Sequence, residues 1–110
     1  MERGGRSGDR GMATMQFVLR TLTLNDEPVQ FSYAVLDLRL GSITSSWSGL
    51  VHGGLRDGLM DLGTLRLEAD TNDGRRLTGQ VVVPTVDLGT DSFTLQGAGP
   101  LLVDGQVPAA

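Results

Sequence analysis

The chain has 110 residues, a formal net charge of −4 and no cysteine, a size that supports one domain burying about 60 to 70% of its unfolded surface. The acidic balance argues against sequence-independent nucleic-acid binding, which needs clustered cations, and against attachment to anionic membranes. With a single histidine, a zinc or copper site would have to be built mostly from carboxylates, so no metal or other cofactor is expected.

All nine basic residues are arginines. Their scatter along the chain, with only Arg75 and Arg76 adjacent, gives no continuous electrostatic footprint and fits coding bias in a GC-rich bacterial genome. No stretch approaches the ~20 apolar residues of a spanning helix. The first residues lack the apolar core of a secretion signal, and the cytoplasm is the expected compartment.

Residues 1–14 are rich in glycine and charge and hold almost nothing to bury, so a disordered leader is expected before a single all-β domain over residues 15–110. The first unit reads as a hairpin, residues 16–24 and 29–40, joined by Asn25, Asp26, Glu27 and Pro28. A four-residue loop sets Leu24 opposite Val29, Leu22 opposite Phe31 and Val18 opposite Val35. Phe17, Leu19, Ala34, Leu36 and Leu38 then fall on the other face, and a strand changes faces only through a bulge or a change of packed environment. This hairpin is expected to bend around a core.

A strand over residues 42–51 follows, with Ile43, Trp47 and Val51 on one face, and another over residues 64–69. An Asp57-Gly58 turn between them would set Trp47 on the face of Thr64, Arg66 and Glu68, so an irregular loop over residues 52–63 is preferred. The next hairpin must keep Leu65, Leu67 and Ala69 on one face with Leu77, Val81 and Val83. Asn72-Asp73-Gly74 as a three-residue loop meets that requirement, pairs Ala69 with Leu77, Leu67 with Gly79 and Leu65 with Val81, and puts Gly74 in the left-handed position. After Pro84 an eight-residue connection leads to a strand over residues 92–96, a break at residues 97–100 and a last short strand at residues 101–103. The pattern amounts to a small antiparallel β-barrel or compact β-sandwich of six to seven strands.

Chemistry is sparse. Asp70 to Gly74 resembles the opening of a calcium loop but is one residue short of its spacing and lacks the closing glutamate, so a tight turn is the better reading. His52 has Asp57 and Asp61 as conceivable partners, yet no nucleophile motif stands near it, and an enzyme is the less expected reading. Trp47 and Tyr33 read as core residues.

The 52–63 loop interrupts the strand pattern while carrying Leu55, Leu59, Met60 and Leu62, either as a lid on the sheet or as a contact patch. The expected function is a non-catalytic binding or assembly module that meets a protein partner or a second copy through this loop or a strand edge. Trp47, His52, Leu55, Arg56, Leu59 and Met60 are its candidate contact residues. The alternative is a carrier holding a small apolar ligand inside a barrel walled by Phe17, Phe31, Tyr33, Leu36, Trp47 and Phe93.

Overall fold

The computed structural model describes residues 13–41, 45–56 and 58–108. These residues form nine antiparallel strands, β1 (Ala13–Leu24), β2 (Glu27–Pro28), β3 (Phe31–Leu40), β4 (Ser45–Gly53), β5 (Leu65–Thr71), β6 (Arg76–Val82), β7 (Val86–Asp87), β8 (Ser92–Gly97) and β9 (Leu102–Val103), and a 3₁₀ turn at Leu59–Leu62. Six of them close into a barrel in the order β1-β3-β4-β8-β6-β5, and β2, β7 and β9 attach to it as two-residue strands. The fold is thus the barrel of the two expected alternatives, with six strands in the ring as expected and three two-residue strands added among the described residues. The connection after Pro84 gains β7, which pairs Val86 with Phe93 and Asp87 with Ser92. β1 begins at Ala13, inside the segment expected as leader, and the rest of that segment lies outside the described residues, as does Ile43.

The first hairpin bends as its hydrophobic pattern demands. In β1, Phe17 and Leu19 are buried on odd positions, then Leu22 and Leu24 on even ones. The switch falls at Arg20, the extra residue between the pairs Leu19↔Thr71 and Thr21↔Asp70. One inserted residue reverses which face every later side chain occupies. Val18↔Val35 is paired as expected, but the turn is not the four-residue loop. Asn25 and Asp26 both take positive φ (51° and 67°), a geometry that suits a two-residue type I′ turn, and Leu24 pairs with Glu27 and Thr23 with Pro28. Leu24 and Leu22 therefore do not face Val29 and Phe31. From Val18 to Thr23 is five steps and from Pro28 to Val35 seven, so two extra residues are accommodated in the segment around Val29 and Gln30.

β3 carries a second bulge. Phe31 pairs with Gly53 and Tyr33 with His52, leaving Ser32 unmatched. The inward set consequently changes from Phe31 to Ala34, Leu36, Leu38 and Leu40, and Tyr33 points outward instead of joining the core. The β5–β6 hairpin has the expected register, Ala69↔Leu77, Leu67↔Gly79 and Leu65↔Val81, with Gly74 at φ 89°.

Large and small residues alternate around the interior, as a narrow barrel requires. The ladder Phe17↔Leu36, Leu36↔Gly49 and Gly49↔Leu95 runs across four strands, and a Cβ at Gly49 would collide with Leu36 and approach within 2.8 Å of the Val35 carbonyl oxygen. Closure rests on the shortest ladder of the ring, Val81↔Gly97 and Val82↔Gln96 between β6 and β8. Trp47 lies across this seam from β4. Its indole N–H donates to the Gly99 carbonyl at 2.7 Å, and the ring occupies space that a Cβ at Gly97 or Gly79 would need.

Adding a methyl group at Gly97 is expected to destabilise the fold by about 1–3 kcal/mol, the usual range for overpacking. Urea denaturation of Gly97→Ala, Trp47→Leu and the double variant checks this. The double variant should cost less than the sum of the single changes, because the collision disappears with the indole.

Candidate functional site

The 52–63 segment is positioned by the end of β4. His52 and Gly53 still belong to that strand, so the irregular stretch starts later than the sequence suggests. The Gly53 N–H donates to the Asp91 carbonyl at 2.6 Å, tying β4 to the turn before β8. Gly54 is tight against Val29 and the Gln30 backbone. Leu55 is partly buried against the core, and Arg56 pairs with Glu27 at 2.8 Å. Gly58 and Gly63, both at positive φ, frame the 3₁₀ turn Leu59–Leu62. Among the described residues β4 and β5 are not paired with each other.

Leu59 enters the barrel mouth, with 2% of its surface exposed, whereas Met60 and Leu62 are 54% and 49% exposed. A four-residue stretch thus serves as plug and as outward surface at once. Two other turns reach the same rim. Asn25 accepts the Arg66 N–H through Oδ1 at 2.7 Å and donates its own N–H to the Arg66 carbonyl at 2.8 Å, while Asp26 forms an ion pair with Arg66. The β7–β8 turn is held by Asp87, whose Oδ1 accepts the N–H groups of Gly89 (2.9 Å) and Thr90 (3.3 Å). Leu88, in that turn, is 82% exposed, and Tyr33, next to the start of β3, is 49% exposed. Among the described residues, Tyr33, Met60, Leu62 and Leu88 share this end of the barrel, and the remaining exposed large apolar side chain, Val107, follows β9 at the other.

The six candidate contact residues are not brought together. Trp47 is buried in the barrel seam and Leu59 in its mouth. His52, Leu55 and Arg56 are half-buried, and Met60 alone of the six is open. The Tyr33 and His52 rings are 6.3 Å apart and tilted by 35°. His52 is the cross-strand neighbour of Ser92, whose Oγ is bonded to the Thr90 hydroxyl at 2.6 Å. No carboxylate among the described residues is hydrogen-bonded to the imidazole, and Asp57 lies outside them. Tyr33, expected in the core, and Leu88 are not marked as exposed surface by the sequence: placing the first requires the Ser32 bulge, and the second the β7–β8 hairpin, for which Asp87-Leu88-Gly89 is the available turn signal.

The outer faces of β1, β5 and β6 carry a ladder of paired charges. Arg76 contacts Glu68 at 2.7 Å and Asp70 at 3.1 Å, and Thr21 donates to Asp70 at 3.1 Å. The hydrogen bond from Arg76, helped by that from Thr21, holds the Asp70 carboxyl below its ordinary value of 3.8. Arg66 does the same to Asp26, first through its hydrogen bond and then through its charge.

Two outcomes are expected. Leu59→Ala should cost about 2–5 kcal/mol, as for a buried leucine truncated to alanine, whereas Met60→Ala and Leu62→Ala should stay within about 0.5 kcal/mol, measured by chemical denaturation. Because the Asp26 and Asp70 carboxyls are depressed on folding, their stabilisation is present above pH 3.8 and is lost as the pH falls further, through the folded-state values. Calorimetry across the acid range should show the melting temperature dropping there, with a shallower drop for the combined Arg66→Gln and Arg76→Gln variant. Comparison with known protein families, with curated proteins and with solved structures gave no match.

Proposed function

We propose that this chain is a non-catalytic binding or assembly module whose contact surface is the barrel rim formed by the 52–63 segment together with Tyr33 and Leu88. The carrying observation is the division of labour within the 3₁₀ turn. Leu59 is anchored in the core, and this fixes Met60 and Leu62 in the open. Because the backbone of this short turn is already anchored, a partner covering Met60 and Leu62 orders only their rotamers and not a mobile loop, which lowers the cost of contact.

The placement of exposed apolar groups favours the rim over a strand edge: among the described residues β2, β7 and β9 are two residues long, and the β1 edge left open where that strand pairs with β3 alone exposes Thr14 and Gln16 rather than apolar side chains. The filled interior favours this reading over the apolar carrier: Leu24, Leu36, Val51, Leu65, Leu67, Leu77 and Val81 have no exposed surface. Among the described residues no helix is long and apolar enough to cross a membrane, and with no cysteine to protect or pair the cytoplasm is the compartment proposed.

Retention from host extract on immobilised protein tests the rim. The wild-type chain should hold a protein that Met60→Asp/Leu62→Asp releases, with both melting at the same temperature. Identical retention by the two would remove the rim as contact surface. Sedimentation velocity over a concentration series separates a foreign partner from a second copy, because only the latter raises the mass of the purified chain.

A further inference from the structure

We infer that the rim's partner is a cationic, amphipathic segment of another protein, one whose lysine or arginine side chains alternate with apolar ones. This rests on the rim being a contact surface and adds the chemistry of what it contacts. The argument comes from the charges interleaved with the exposed apolar groups.

The two arginines of the rim are engaged, Arg56 with Glu27 and Arg66 with Asp26. Asp61, Asp87 and Asp91 form no ion pair among the described residues. Asp61 lies between Met60 and Leu62 in the 3₁₀ turn, and Asp87 and Asp91 bracket the turn that exposes Leu88. Met60, Leu62 and Leu88 therefore each have as chain neighbour a carboxylate with no ion-pair partner among the described residues.

This pattern discriminates among occupants. A second copy docked rim to rim would bring three carboxylates against three more, and like charges brought together across an interface are costly. An anionic surface is repelled for the same reason. A wholly apolar partner would strip water from the carboxylates without replacing its hydrogen bonds, a loss of several kcal/mol in the unfavourable limit. Lysine and arginine satisfy both demands, since their methylene stems cover apolar surface while the charged heads stay at its edge. Stems over Met60, Leu62 and Leu88 would bring the heads to Asp61, Asp87 and Asp91.

The test uses the full-length ¹⁵N-labelled chain and two synthetic amphipathic peptides of the same apolar pattern, one Lys/Leu and one Glu/Leu. The Lys/Leu peptide should shift amides of residues 59–62 and 88–91 while sparing the charge-paired outer faces of β5 and β6, and its affinity should fall as salt rises. Asp61→Asn/Asp91→Asn should weaken it by up to about fivefold for each carboxylate removed. Asn tolerates the positive φ of Asp91, and Asp87 is left intact because it holds its turn. Shifts spread evenly over the acidic surface, or unchanged affinity of the Asn variant, would overturn the inference. If both peptides bind the rim equally and Met60→Ser/Leu62→Ser abolishes both, the rim survives as a contact surface and the cationic partner does not. If neither peptide perturbs the rim, the cationic partner is again excluded, and the retention experiment then decides the rim by itself.

Discussion

A six-stranded barrel must bring its first and last strands together around a narrow interior, and here that meeting depends on one indole. β6 and β8 share the shortest ladder of the ring, so backbone hydrogen bonds contribute little to closure. Trp47 compensates by reaching from β4 across β8 toward β6, packed against Gly97 and Gly79, with its N–H bonded to the Gly99 carbonyl. Burying an aromatic of this size contributes several kcal/mol, more than a surface ladder of two pairs would add. The two glycines make the arrangement possible, because any side chain at either position would occupy the space of the ring. Gly97 also opens the segment that supplies the indole's acceptor, so the chain's path after β8 and the closure of the barrel are one constraint.

The bends that let the sheet curl have the same origin in side-chain size and parity. Arg20 in β1 and Ser32 in β3 are each an extra residue, and at each the inward-facing set changes from odd to even numbers. Without the Arg20 bulge, Leu22 and Leu24 would face water; without the Ser32 bulge, Phe31 and Leu36 could not both point inward. The bulges reconcile a hydrophobic pattern that no straight strand could bury with the curvature that a closed sheet needs.

Some of this was legible in the residues. The face change in the first hairpin follows from Phe17 and Leu19 standing out of phase with Leu22 and Leu24, and the β5–β6 register follows from parity and Gly74 together. The location of each bulge was not legible, since it depends on which strand lies alongside: β1 leaves β3 after Val18 and continues on β5. At the first turn Pro28 suggests a four-residue loop, whereas Asn25 and Asp26 both adopt left-handed backbone and close the hairpin in two residues. The role of Trp47 was invisible for another reason. Its neighbours Gly79 and Gly97 lie far apart in sequence, and nothing local to any of the three marks them as one site. For the rim, the 52–63 segment stood out as an interrupted pattern, yet the sequence could not say that Leu59 turns inward while Met60 and Leu62 turn outward.

Closure also decides where contact can occur. The ring is closed and its interior is occupied by leucine and valine side chains, while the open edge of β1 where it pairs with β3 alone exposes only polar Thr14 and Gln16, so the mouths and the outer face are what remain for apolar contact. On the described outer faces of β5 and β6 the charged groups answer one another, Arg76 with Glu68 and Asp70 and Arg66 with Asp26 and Glu68, which leaves little unsatisfied electrostatic potential for a partner to exploit. The rim differs in both respects: Met60, Leu62 and Leu88 project from turns fixed by Leu59 and by the Asp87 cap, and Asp61 and Asp91 stand beside them without an opposite charge among the described residues. Stability requires the plug and the caps but not the exposed leucines and methionine, which is why Met60, Leu62 and Leu88, rather than Leu59 or Asp87, are the side chains proposed for contact.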